Sequence, residues 1–93
     1  MKIEITPAFR DKLKRQILYI SKDKPQAARK FNQLVFQEIR KLSDNPKKNR
    51  KSIFFDDENI RDLIVKGYLI AYEILPNENK IVVFGFYKWE ESF

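Results

Sequence analysis

A chain of 93 residues is enough for one domain with a modest core, and a single domain over residues 1–93 is expected. With neither cysteine nor histidine, it can form no disulfide or thiolate site, and it lacks the usual neutral-pH general base and the commonest metal ligand. The net charge of +6 is uneven: residues 1–52 carry fifteen Lys/Arg against five Asp/Glu, and residues 53–93 carry four against eight. A basic half of this kind suits an anionic partner, nucleic acid or an acidic polypeptide, although a lysine coat also serves solubility.

Lys2–Ile5 alternates, with Ile3 and Ile5 on one side, and reads as a short strand. Thr6-Pro7 is a helix start, since Thr6 can cap and Pro7 needs no N–H at the first helical position. Phe9, Leu13, Ile17 and Ile20 then form one apolar stripe, with Arg10, Lys14 and Arg15 on the other face, and the helix should end near 21–24. A second helix is predicted from Asp23-Lys24-Pro25 to about Ser43, with the stripe Ala28, Phe31, Val35, Ile39 and Leu42 widened by Leu34 and Phe36. Asn45-Pro46 stops it. The short linker makes the pair an antiparallel hairpin.

Residues 47–59 are irregular. Lys47-Lys48-Asn49-Arg50-Lys51 is basic, Ser52-Ile53-Phe54-Phe55 reads as a short strand or an anchored loop, and Asp56-Asp57-Glu58-Asn59 is turn-like. Three strands follow: Ile60–Val65, Tyr68–Leu75 and Ile81–Tyr87, the last two joined through the turn formers 76–79 as a hairpin. Tyr68, Ile70, Tyr72 and Ile74 share one face, yet the other face is also largely apolar. Such a sheet needs cover on both sides: the helices on one, a partner as a candidate for the other. The fold class is therefore α+β, β-α-α-β-β-β, a helical hairpin packed on a small, mainly antiparallel sheet.

The order of a strand, a basic helical hairpin, an R-x-L…G-Y-x-x-x-Y stretch and an apolar C-terminal strand resembles the RelE/ParE superfamily of toxins from type II toxin–antitoxin systems. The matching residues are Arg61, Leu63, Gly67-Tyr68, Tyr72 and Ile81-Val82-Val83-Phe84, together with the break at Pro46. The resemblance covers essentially the whole chain. It implies a growth-arresting toxin held inactive by a cognate, acidic antitoxin. In RelE-like members the target is ribosome-bound mRNA, which is cut by cationic and tyrosine side chains on the sheet. ParE-like members poison DNA gyrase with no recognised hydrolytic centre. The Arg that follows Gly-Tyr in RelE-like enzymes is Leu69 here, their basic residues on the preceding strand fall near Ile60 and Asp62, and their late Arg falls where Trp89–Glu91 stand. A ParE-like, non-hydrolytic mode is therefore favoured over a ribosome-dependent endoribonuclease, with a non-toxic basic binding module as a further alternative.

Cleaving RNA by 2′-hydroxyl attack needs a proton acceptor, a charge that stabilises the phosphorane, and a proton donor for the leaving oxygen. If the chain is a ribonuclease, those roles fall to Arg61, Lys66, Tyr87 and Lys88, with Arg61 or Lys88 as the stabilising charge. Each has an ordinary reading beside it: Arg61 paired with Asp62, Glu73 or the 56–58 acids, and Tyr87-Lys88 a plain strand end. Lys47, Lys48, Arg50 and Lys51 are candidates for gripping phosphate, and Tyr68 for stacking on a base, though core packing with its hydroxyl at the rim is the alternative. Trp89 and Phe93 are candidates for closing the core edge or for covering the sheet until a partner displaces them. Asp56-Asp57-Glu58 lacks the spacing of a cation loop, and neither metal nor cofactor is expected. No apolar run is long enough to span a membrane, and the first residues lack a signal-peptide core, so the expected compartment is the cytoplasm.

Overall fold

The computed structural model describes residues 1–88; the expected roles of Trp89 and Phe93 lie outside the described residues. Strand β1 (Lys2–Ile5) leads through Thr6 into helix α1 (Pro7–Ser21). The Thr6 hydroxyl accepts the Phe9 N–H at 3.2 Å, which satisfies one of the open donors of the first turn. Three residues separate α1 from α2 (Pro25–Arg40), which tightens into a 3-10 turn at Lys41–Ser43. The sheet is completed by β2 (Ile60–Val65), β3 (Tyr68–Leu75) and β4 (Lys80–Lys88). The β-α-α-β-β-β order and the α+β class follow the sequence reading.

Strand order is β1-β4-β3-β2. The pairings β2–β3 and β3–β4 are antiparallel, and β1 lies parallel to β4 with Lys2 opposite Lys80 and Ile5 opposite Val83. Lys66 and Gly67 make the β2–β3 turn with φ of 50° and 81°, the left-handed pair that a two-residue hairpin requires. Between β3 and β4 the chain turns through Pro76–Glu78, and Asn79 at φ 50° reverses it. Ala71 faces Gly85 while Tyr72 faces Val83, so Phe84 is the extra residue of a bulge.

Both helical stripes face one side of the sheet. Phe9 and Leu13 of α1, and Phe31, Val35 and Ile39 of α2, close over Ile70, Tyr72, Ile74, Ile81, Val83 and Phe86. Ile17 and Ile20 pack at the margin of this core and are only partly buried. On the opposite sheet face the chain supplies much of the cover itself, and Phe54 and Phe55 within that cover stay partly exposed. Lys51 bridges Arg61 at the edge of β2, the Ser52 N–H reaches the Ile60 carbonyl at 2.8 Å, and Asp62 N–H reaches the Arg50 carbonyl at 3.1 Å. Beyond this short pairing, Phe55 meets Phe84 at 5.6 Å and Phe54 meets Tyr87 at 5.1 Å between ring centroids. Leu69 and Ala71 are buried on this face.

Candidate functional site

The residues singled out from the sequence are distributed over three places. Arg61 stands opposite Tyr72, whereas Tyr68 pairs with both Val65 and Lys88. The two positions lie four residue steps apart along β3, about 13 Å at the usual strand rise.

Arg61 is committed to the 44–59 loop. Its Nε donates to the Glu58 carbonyl at 2.8 Å, Nη1 to the Asn49 carbonyl at 3.1 Å, and Nη2 to the Glu58 carboxylate at 3.4 Å. Its side chain is only 14 % exposed, so these oxygens offset the cost of removing a guanidinium from water. Its carboxylate partner is thus Glu58, one of the acids expected from the sequence, and two main-chain oxygens do the rest. Tyr72 completes the anchorage: its hydroxyl donates to the Pro46 carbonyl at 2.6 Å and accepts from Asn49 at 3.2 Å. Burial pushes the Tyr72 phenol above its ordinary pKa, partly opposed by the Asn49 hydrogen bond and the Arg61 charge.

The basic cluster is divided by the same loop. Lys51 binds Asp56 at 2.7 Å, and that hydrogen bond raises the lysine's pKa and lowers the aspartate's. Both groups lie in solvent, so the pair adds little to stability. Arg50 approaches Asp62 at 3.8 Å. Asp62 is 2 % exposed, and its Oδ2 accepts the Ile53 N–H at 3.0 Å, which ties the covering segment to the sheet. Lys47 and Lys48 remain exposed.

Lys66, Tyr68, Tyr87 and Lys88 share the other end of the sheet but not one surface. Lys66, in the turn, rims a mainly apolar cavity of about 350 Å³ with Ile20, Ala27, Lys30, Phe31 and Leu34. Tyr87 lies on the face away from the helices, its ring folded against Gly85, where a Cβ would stand 2.7 Å from it. Lys12 of α1 extends to that ring, Nζ 4.9 Å from its centroid. Tyr68 lies on the helix side, stacked on Phe86 at 5.1 Å and tilted against Phe31 at 4.9 Å. Its hydroxyl accepts from Gln16 at 2.8 Å. Core packing of the ring with the hydroxyl at the rim is what the structure shows.

Around that hydroxyl is a cleft of about 580 Å³ between α1 and the strand ends, lined by Lys12, Arg15, Gln16, Tyr19, Tyr68, Phe86 and Lys88. Sequence reasoning named Tyr68 and Lys88 but not Lys12, Gln16 or Tyr19. The available signal was their spacing with Arg15, at i, i+3, i+4 and i+7 of one helix face.

Among the described residues, no helix is long and apolar enough to cross a membrane. No curated protein gives a significant match to the chain. Residues 3–91, however, match the family model described as the ParE toxin of the type II toxin–antitoxin system, parDE. That match spans both helices and all four strands, and the chain therefore belongs to this ParE toxin family, within the RelE/ParE superfamily.

Proposed function

We propose that this toxin arrests growth in the cytoplasm by trapping DNA gyrase, without hydrolysing nucleic acid, and that its antitoxin partner is acidic. Family membership supplies the toxin role and the existence of an antitoxin. The non-hydrolytic reading is carried by one observation: Arg61, the residue best suited to stabilise a phosphorane, already spends its guanidinium on the Asn49 and Glu58 carbonyls and the Glu58 carboxylate. Along the strands it also stands four positions, about 13 Å, from the level of Tyr68 and Lys88, and Tyr87 occupies the other face of the sheet. An in-line transfer needs its donors preorganised around one phosphate, and a spread of this size does not provide that. The acidic antitoxin is supported by the net charge of +6 and the concentration of cations in residues 1–52.

The deciding experiment induces the protein in growing cells and maps two products: mRNA 5′ ends on ribosomes and DNA breaks covalently linked to gyrase. Gyrase-linked breaks without new mRNA ends are expected. Cuts at the ribosomal A site that vanish with Arg61→Ala, a loss of about 10²-fold or more in cleavage, would replace this reading by the endoribonuclease. Normal growth with neither product would leave the basic binding module.

A further inference from the structure

Ala27, Lys30, Phe31 and Leu34 follow one another at i, i+3, i+4 and i+7 and so share one face of α2. Phe31 belongs to the core stripe, but Leu34 is only partly buried and Ala27 and Lys30 are exposed, so the core does not fill this face. Ile20 at the end of α1 and Lys66 in the β2–β3 turn stand against it, and the three elements together line the cavity of about 350 Å³. Its surface is mainly apolar although two of its six lining residues are lysines. Both lysines are exposed, so their stems join the walls while their ammonium groups stay in water at the mouth.

Two observations define what the cavity takes. The first is charge. No acid lines it, and among the described residues neither the Lys30 nor the Lys66 ammonium has an ion pair or hydrogen bond. The first turn of α2, whose Ala27 lines the cavity, holds no acid and has no capping side chain, so the helix dipole adds to the positive potential. The second is size. One turn of a helix, about 10 Å across and about 5.4 Å long, occupies more space than the cavity offers, so a small molecule fits where a helix does not. A volume of about 350 Å³, with apolar walls and a few polar groups at the rim, is that of a small-molecule site. Apolar walls open to water gain from being covered, and Phe31 connects that cover to the core through its contact with Tyr68.

We propose that this cavity binds a small amphipathic carboxylate, with an unbranched chain of medium length lying on Ile20, Ala27, Phe31 and Leu34 and its carboxylate between Lys30 and Lys66. The site stands apart from the gyrase reading, since occupancy is measured on the purified chain and either can fail alone.

The test titrates the isotope-labelled chain with octanoate, below the concentration at which it forms micelles, and follows backbone amide shifts and the melting temperature. Shifts centred on Ala27, Lys30, Leu34 and Lys66 are expected, with a melting temperature that rises with octanoate because the folded chain alone holds the cavity. Octylammonium keeps the chain but reverses the charge, and should bind about tenfold more weakly; acetate lacks the chain and should give no localised shift. Lys30→Ala combined with Lys66→Ala should weaken octanoate about tenfold, the sum of two exposed ion pairs. Lys30→Glu combined with Lys66→Glu should turn the preference toward octylammonium. Ala27→Leu fills the cavity from an exposed helix position, so it should abolish the shifts while the melt without ligand stays close to the parent. Three results would each overturn the proposal. The first is that octanoate leaves these amides unmoved. The second is equal affinity for octanoate and octylammonium, which would make the cavity an uncharged apolar contact. The third is a set of shifts centred elsewhere, such as residues 53–55, with full affinity kept in Ala27→Leu.

Discussion

On the helix side of the sheet, Ile70, Tyr72, Ile81 and Val83 lie fully buried beneath two helices, whereas on the other side the covering among the described residues comes from one short irregular segment, residues 50–55. That segment leaves Phe54 42 % and Phe55 37 % exposed. The strand residues beneath explain how so thin a cover suffices. Ala71 and Gly85 stand opposite each other at the centre of this face, so there is little side-chain volume to enclose, and the Tyr87 ring can fold onto Gly85. One face is thus closed by bulk and stripe matching, the other by small residues and a tether to Asp62. Stability belongs mainly to the first, and the second keeps large apolar groups within reach of solvent.

The largest effect is expected from the helix face. Phe31 is buried against the Tyr68 ring, and Phe31→Ala should cost about 3–5 kcal/mol in a urea melt, a large part of a small domain's stability. A change of a few tenths would mean that the helix stripe is not the principal core. Gly85→Ala probes the second face where it is tightest. The added methyl would meet Ala71 Cβ at 2.9 Å and the Tyr87 ring at 2.7 Å. Tyr87 can swing aside but the Ala71 Cβ is fixed to its strand, so a cost of about 1–3 kcal/mol is expected, with the Tyr87 environment altered in its fluorescence. An unchanged melt would show that the two strands separate freely there. The smallest loss should come from Phe55→Ala, about 0.5–1.5 kcal/mol, because the ring retains water contact and gives up one edge contact with Phe84. If Phe55→Ala destabilises as much as Phe31→Ala, the contrast between the two faces fails.

The elements were legible because each depends on local pattern. The Phe9–Leu13 and Ala28–Phe31–Val35–Ile39 stripes, the Thr6-Pro7 start, the stop after Ser43 and the turn at 76–79 are all readable within a few residues. What escaped depends on distant partners. Ser52–Phe55 has no periodicity, and it is placed by Asp62, the edge of β2 and the rings of Phe84 and Tyr87. The bulge at Phe84 exists because β3 and β4 must be aligned at both ends, which neither strand encodes alone. Arg61 shows the same limit from the chemical side. Its type permits phosphate contact, but its role was set by carbonyls twelve and three residues away. Lys12, Gln16 and Tyr19 looked like any solvated helix face until the end of β4 was set opposite them.

The parallel pairing of β1 with β4 bears on the order in which the protein comes into being. The strand made first is aligned with the strand made last, Ile3 beside Ile81. The helical hairpin and both β-hairpins close over short loops, but this pairing encloses nearly the whole chain and carries the largest closure entropy in the molecule. During synthesis β1 must wait, and α1, which follows it directly, has no strand end to face until β4 leaves the ribosome. Substitutions such as Ile3→Ala should accordingly speed unfolding and leave the folding rate unchanged in a chevron measurement. The surfaces that use Tyr87 and Lys88 come into existence only with the final residues of the sheet.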